Sequence, residues 1–431
     1  LLRFRRFVGY ICARMAETLD ITIRKLGASG DGVADGMVYV AGTLPGERVR
    51  VQRTAKDRAR LVDILEPSPE RVAAPCKHFG ACGGCSLQHM SQAAYVAWKT
   101  GLAAGALAAR GFDLALAPLL RIAPRTRRRA ALAAWRGPAG IEIGFHADHS
   151  DAIVDLDECH VLEAPLAALL PILRSFLDEH LRGNETLDLH LTHCDNGFDL
   201  VLTGRTLDTR KRMAFADFAA ANRIVRVTWR SEAGSTAEIV ALHESPHVTF
   251  GTVQVVPPPG AFLQAAKPAE TAIVAEIAAA VGRAKRAIDL FAGLGTFGFP
   301  LTGRVHAVEG DFAAVAAMQD AARASFRAGR FTAEARDLER RPFMPEELEP
   351  FDAAIFDPPR EGAAEQAKWL AQSDVPTVVA VSCNPASFAR DARILADGGY
   401  TLTRVAPVDQ FLWTSHLELV AVFKKPKQRR R

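Results

Sequence analysis

Two short runs near the C-terminal end carry the groups best placed to do chemistry. Val381-Ser382-Cys383-Asn384-Pro385 sets a thiol on a rigid Asn-Pro turn, and Phe356-Asp357-Pro358-Pro359-Arg360 sets a carboxylate on another. Each follows an apolar run, 377–381 and 353–356, that reads as a buried parallel strand. Polar groups just past the C-terminal ends of such strands stand where an open α/β sheet binds its ligands. A thiol there is a candidate nucleophile. The plainer reading of Cys383 is one more small buried hydrophobe, the usual role of a lone cysteine.

A second constellation lies upstream. Residues 289–298 read Asp289-Leu290-Phe291-Ala292-Gly293-Leu294-Gly295-Thr296-Phe297-Gly298, a glycine-rich turn between a strand and a helix, and Glu309 ends the next strand. Taken literally, Gly293-x-Gly295-x-x-Gly298 is a dinucleotide fingerprint. The same geometry serves S-adenosylmethionine, with the loop approaching the methionyl part and the second-strand carboxylate accepting from both ribose hydroxyls. Asp337, near the expected end of a third strand, would face the adenine edge. No second half with its own phosphate loop is visible, which disfavours a dinucleotide.

Cys76, Cys82 and Cys85 form C-x5-C-G-G-C, and Cys159 follows in a distant segment. Four thiolates, three from one loop and one from elsewhere, suit a 4Fe-4S cluster, and Gly83 and Gly84 let the loop fold tightly. Zinc competes, since His78 or His89 could complete a tetrahedral site, although only one paired knuckle is present. Cys12 and Cys194 have no partners by spacing. Seven cysteines, unevenly spread, argue against a secreted disulfide framework and for a reducing, cytoplasmic setting.

The elements that must position these groups fit a chain of 431 residues, long enough for two or three domains. A 49% hydrophobic and 24% charged composition with net charge +4 is that of an ordinary globular protein. No apolar run reaches the roughly 18 residues of a membrane span. Residues 1–16 read as a leader or an over-extended start, with Met15 just before the first convincing strand. Residues 17–72 alternate as a five-stranded OB-type barrel, Leu19, Ile21 and Ile23 sharing one face, with Arg48, Arg50, Arg53, Lys56, Arg58 and Arg60 outside. A generic barrel with a charged exterior is the plainer alternative. Residues 73–256 form a mixed α+β central region whose helix 91–112 is a candidate to pack on the last domain. After Pro257-Pro258-Pro259-Gly260, residues 257–425 repeat strand, loop and helix as a Rossmann-like doubly wound α/β domain, and 426–431 are a basic tail. Arg125, Arg127, Arg128 and Arg129 crowd one segment as a strip suited to phosphates.

Asp357-Pro358-Pro359 also occurs in amino-methyltransferases, but Arg360 stands where those enzymes have a base-stacking aromatic. With Cys383-Asn384-Pro385, His416-Leu417-Glu418, Leu44-Pro45-Gly46-Glu47, Phe262-Leu263-Gln264, the four cysteines and the glycine loop, the chain resembles the RNA uracil-C5 methyltransferases. The likeness runs from about Leu19 to Phe423 and is to the TRAM-domain, iron–sulfur branch acting on 23S ribosomal RNA. It implies a class I methyltransferase domain behind a TRAM barrel, with RNA as partner and neither a membrane nor an obligate protein partner. It further implies Cys383 as nucleophile and Glu418 as the base that removes the C5 proton. Asp357 and Gln264 would hold uracil, and Gln264, Phe291, Gly293, Gly295, Glu309, Asp337 and Asp357 would line the cofactor site. Arg127, Arg128 and Arg129 would grip phosphates, and Cys76, Cys82, Cys85 and Cys159 the cluster. Two positions depart from the family, Ala266 and Thr296 each replacing a common Asn. His416 and Glu418, two apart, would share one strand face. The rival expectations are the same reaction on transfer RNA, a dinucleotide-dependent iron–sulfur oxidoreductase, and a non-catalytic RNA-binding protein.

Overall fold

A computed structural model describes residues 18–148, 150–231 and 237–425. The expectations for 1–16, Cys12 and 426–431 lie outside the described residues. The chain divides into two compact units, one running to Ala74 and including Ser86–Tyr95, the other comprising Pro75–Cys85 and everything from Val96 onward.

In the first unit, β1 (Thr18–Leu26), β2 (Gly32–Ala34), β3 (Val38–Val40), β4 (Arg48–Arg53) and β5 (Arg58–Glu66) close into a barrel. Alternation explains it: Val49 and Val51 of β4 enter the core while Arg48 and Arg50 face out. Ile23 is likewise buried, but Leu19, expected beside it, is 36% exposed near the start of its strand. Much of the outer positive charge is paired within the barrel. Arg50 bonds Asp20 at 2.8 Å, Arg48 bonds Glu66 at 2.9 Å, and Arg58 lies 3.4 Å from Asp31.

Helix α1 (Gln92–Ala108) leads into the second unit, followed by the short β6 (Leu120–Arg121). A six-stranded sheet comes next, from β7 (Arg129–Gly137), β8 (Gly140–Gly144), β9 (Thr186–Cys194), β10 (Gly197–Gly204), β11 (Ile224–Ser231) and β12 (Ala237–Leu242), in the order β12-β11-β10-β9-β7-β8. Helices α2 (Ala164–His180) and α3 (Thr209–Ala221) bury Leu166, Leu170, Leu173, Phe215 and Phe218 in a core shared with Leu189, Leu200 and Val227. The hairpin β13 (Val248–Phe250) and β14 (Val253–Val255) then leads to α4 (Lys267–Val281).

The remaining elements are β15 (Arg286–Leu290), β16 (Arg304–Glu309), α5 (Phe312–Ala324), β17 (Phe331–Ala335), α6 (Pro345–Leu348), β18 (Ala353–Phe356), α7 (Ala364–Gln372), β19 (Thr377–Ser382), α8 (Pro385–Asp397), β20 (Thr401–Asp409) and β21 (Glu418–Lys424). They build an eight-stranded sheet, β17-β16-β15-β18-β19-β21-β20-β6. Strands β17 to β19 are parallel, and β21 runs antiparallel to both neighbours. Strand order reverses between β15 and β18, and the segments following them pack on opposite faces, Leu294 and Phe299 in one core and Leu370 of α7 in the other, which opens a crevice at the strands' carboxyl ends.

The sequence division at 256/257 is not a boundary between compact units. Strand β6 extends the last sheet beside β20, and Ile122, Cys194, Val248 and Phe250 share one core with Leu263, Ile273, Leu294 and Phe299. On the other face, Ala103 and Leu107 of α1 pack with Ile288, Leu290, Phe388 and Phe423. Among the described residues no helix is long and apolar enough to cross a membrane.

Candidate active site

A cleft of about 610 Å³ opens at the crevice. Its lining includes Cys383, Glu418, Asp357, Gln264, Phe291, Gly293, Glu309 and Asp337, drawn from stretches more than a hundred residues apart. Gly295, Arg127, Arg128 and Arg129 do not line it.

Cys383 follows β19 directly, and Asn384 then caps α8, its Oδ1 accepting from the Ala386 amide at 3.1 Å. Burial, then the Glu418 and Asp357 carboxylates, push the thiol up to about 11, with Arg360 pulling the other way. The Ala386 amide is spent on Asn384, and burial beside two acids outweighs the rest.

Glu418 opens β21 and is only 4% exposed, so it is not a solvated strand-end acid. Its Oε1 accepts from Gln410 Nε2 at 2.9 Å, while Oε2 has no hydrogen-bond partner among the described residues. Burial and the neighbouring Asp357 push its carboxyl well above the usual range. Asp357, just beyond β18, accepts from Gln264 Nε2 at 3.4 Å. Burial raises it too, against the pull of that bond.

Gln410 carries no signal in the sequence, being one amide in a connecting stretch. It is buried, and its Nε2 reaches Gln264 Oε1 at 2.7 Å while its Oε1 accepts from the Ala265 amide at 3.0 Å. The 410–417 connection is fastened by Lys99 Nζ, which donates to the Phe411 and His416 carbonyls at 3.2 and 2.6 Å and pairs with Asp409. His416 thus precedes β21 rather than sharing a strand face with Glu418, and it does not line the cleft.

The arginine strip is corrected. Arg128 is buried, its guanidinium bonded to Glu270 at 2.5 Å and to the Gln264 carbonyl at 3.1 Å. A side chain so committed joins β7's approach to α4 and cannot reach a phosphate. Arg129 donates to the Leu263 carbonyl at 2.7 Å and lies 4.6 Å over the Phe262 ring; burial pushes it down to about 10. Arg127 donates to the Arg129 carbonyl at 3.0 Å, and burial lowers it as well. Arg125 remains exposed.

In the other half of the cleft, Glu309 at the end of β16 accepts from the Gly293 amide at 2.8 Å and the Asp311 amide at 3.0 Å, which fixes its carboxylate. Gly293 has φ 56°, and a Cβ there would meet nothing within 4 Å, so the loop leaves room for a ligand. Phe291 beside it also has a positive φ, 61°. Asp337 lines the cleft, but its Oδ1 caps the following turn through the Glu339 and Arg340 amides at 3.0 and 3.2 Å. Gly295 serves packing instead. At φ 79°, its missing Cβ would stand 2.7 Å from the Phe299 ring. Of the two departures, Ala266 is the N-cap of α4 with no side-chain bond, and Thr296 lines the cleft.

The cysteine segments adjoin without forming a ligand set. The Lys77 amide bonds Glu158 at 3.0 Å, Gly83 bonds the His146 carbonyl at 2.9 Å, and Gly84 points its amide at Cys82 Sγ from 3.4 Å. Burial, and more weakly the charge of Cys159, raises Cys76 and Cys82. Even so, among the described residues no group of three or more His, Cys, Asp or Glu is placed to hold a metal ion. His78 bonds Asp157 at 2.7 Å.

A family model described as tRNA (Uracil-5-)-methyltransferase matches residues 332–426. An uncharacterized RNA methyltransferase of Brucella suis is 44% identical over 419 residues, covering 96% of this chain and 99% of that protein. The 23S rRNA (uracil(1939)-C(5))-methyltransferase RlmD of Halomonas elongata is 34% identical over 441 residues, covering 96% of this chain and 90% of that one. The crystal structure of Pyrococcus abyssi tRNA (uracil-54, C5)-methyltransferase, in complex with S-adenosyl-L-homocysteine, superposes with a TM-score of 0.74. It is 22% identical and covers 94% of this chain and 100% of that one, a likeness of fold.

Proposed function

Since the chain belongs to the RNA uracil-C5 methyltransferase family, we propose that it methylates C5 of one uridine in 23S ribosomal RNA through a transient bond between Cys383 and C6. The observation that carries this reading is the meeting of Cys383, Asp357, Gln264 and an acid with one unpartnered oxygen, Glu418, in one cleft.

Uracil C5 is a poor nucleophile. Cys383 gives up its thiol proton to solvent, and addition of the thiolate sulfur to C6 moves the C5=C6 electrons into an enolate that concentrates electron density at C5. S-adenosylmethionine, when bound, would supply an electrophilic methyl group and leave as S-adenosylhomocysteine; Phe291, Gly293, Glu309 and Asp337 line the same cleft and would hold it. Asp357 accepts from uracil N3–H and Gln264 donates to O4. Glu418 Oε2 takes the C5 proton, a task for which a carboxyl raised toward neutrality is suited. As that proton leaves, its bonding pair re-forms the C5=C6 double bond, and the C6–S bond breaks to release the thiolate, which regains a proton from solvent. Arg360, the cation beside Cys383, offsets the anion that forms on sulfur.

The ribosomal substrate is favoured by the end-to-end match to the Halomonas protein. The family description naming transfer RNA rests on residues 332–426, which hold the base-reacting end rather than the parts that would read RNA shape. The 4Fe-4S cluster on Cys76, Cys82, Cys85 and Cys159 belongs to the same proposal. It rests on their spacing and the adjoining of their segments, and takes no part in the methyl transfer. Iron and sulfide analysis of anaerobically purified protein tests it. For the reaction, protein is incubated with labelled S-adenosylmethionine and separate unmodified 23S and transfer RNA. 5-Methyluridine in the digested 23S RNA alone is expected. Label only in transfer RNA would reassign the substrate, and label in neither would end the proposal.

A further inference from the structure

We propose that Gln410 is the positioning residue that fixes both how the site reads a pyrimidine and which oxygen of Glu418 does the work; this rests on the reading that uracil binds between Gln264 and Asp357. The Ala265 N–H can only donate, so the Gln410 atom 3.0 Å from it is the carbonyl oxygen. The Gln410 NH2 then faces the other way, toward Gln264 at 2.7 Å and Glu418 at 2.9 Å. A donor there requires the Gln264 carbonyl to face it, which turns the Gln264 NH2 toward Asp357, 3.4 Å away, and the cleft. One main-chain amide thereby settles the orientation of two buried side-chain amides in series.

The consequence is a donor and an acceptor side by side. The Gln264 NH2 suits the O4 acceptor of uracil and ionised Asp357 suits its N3–H. Cytosine presents the reverse, an exocyclic amine and a bare N3. Were Gln264 turned over, its carbonyl would face the cleft and the preference would weaken. At the same time Gln410 occupies Glu418 Oε1 and leaves Oε2 as the acceptor without a partner. Its N–H also favours the charged form of Glu418, which keeps that acid from rising further.

The test uses the full chain with the RNA that the parent methylates, carrying uridine or cytidine at the target position. Gln410→Met removes both N–H groups at nearly unchanged volume. It should lower kcat about 10- to 100-fold, the scale of losing a hydrogen bond to a charged group. RNA and S-adenosylhomocysteine affinities should stay within about twofold. The acidic limb of the pH–rate profile should move to higher pH, because Glu418 loses a donor to its anion. Gln410→Glu keeps size and shape but draws the Gln264 NH2 away from the cleft, and should reduce the uridine-over-cytidine preference at least about tenfold.

An unchanged kcat and pH profile in Gln410→Met, or an unchanged preference in Gln410→Glu, overturns the inference. So does a lower kcat accompanied by an equal loss of S-adenosylhomocysteine affinity and an unmoved pH limb, which would mark Gln410 as structural only. Failure of the parent to methylate any RNA would instead strike the proposed function.

Discussion

Lys99 and Asp409 form an ion pair from which both side chains are wholly shut off from solvent. It fastens α1 to the end of β20, immediately before Gln410. A buried pair pays heavily for lost hydration, so removing one partner leaves an uncompensated charge and costs about 3–5 kcal/mol. Lys99→Met is expected to destabilise by that amount in urea titrations and to lower methyl transfer further than folding loss explains. Lys99→Met combined with Asp409→Leu should recover part of the stability. A single variant as stable as the parent would deny the pair its role.

Gly295 holds φ 79°, with the Phe299 ring where a side chain would begin. Gly295→Ala should cost about 1–3 kcal/mol in backbone strain and overpacking, and lower the melting temperature accordingly. Gly293→Ala, with open space at its Cβ position, should be better tolerated by the fold and weaken cofactor affinity more. Equal effects of the two on melting would contradict this division of labour.

Arg128 is joined to Glu270 inside the protein. Arg128→Met should therefore lose about 3–5 kcal/mol of stability and leave the salt slope of RNA binding unchanged, measured where the variant is still folded. A slope reduced by about one unit would return Arg128 to the phosphate-binding role.

Asp289 is fully buried on β15. Burial and the Asp357 charge push its carboxyl up to about 8, against the Gly298 amide. The folded state holds this proton longer than the unfolded chain does. Its contribution is thus fully present below the unfolded value near 3.9 and is lost as pH rises toward 8. Asp289→Asn stays neutral throughout, so its stability relative to the parent should increase by about 1 kcal/mol or more between pH 5 and pH 8. A difference that does not change over that interval would show that Asp289 ionises normally.

Much of the scaffold was legible because periodicity is local. Alternation gave the barrel strands, and apolar runs followed by Asp357 or Cys383 gave the parallel strands and their active ends. What distance decides was not legible. The run from Arg125 to Arg129 reads as surface charge until α4 delivers Glu270 to Arg128. Gln410 is silent in the sequence because its role depends on Ala265 and Gln264, some 145 residues earlier. The shared core that abolishes the 256/257 boundary comes from scattered apolar residues such as Ile122 and Cys194, which announce nothing individually.

The most direct measurement of the proposed chemistry traps the sulfur on the base. RNA carrying 5-fluorouridine, incubated with the protein and S-adenosylmethionine, cannot release fluorine as a proton once C5 is methylated. A denaturation-resistant RNA–protein adduct should accumulate, its modified peptide containing Cys383, and Cys383→Ala should form none. An adduct mapping to another residue, or Cys383→Ala methylating ordinary RNA at the parent rate, would contradict covalent activation through this thiol.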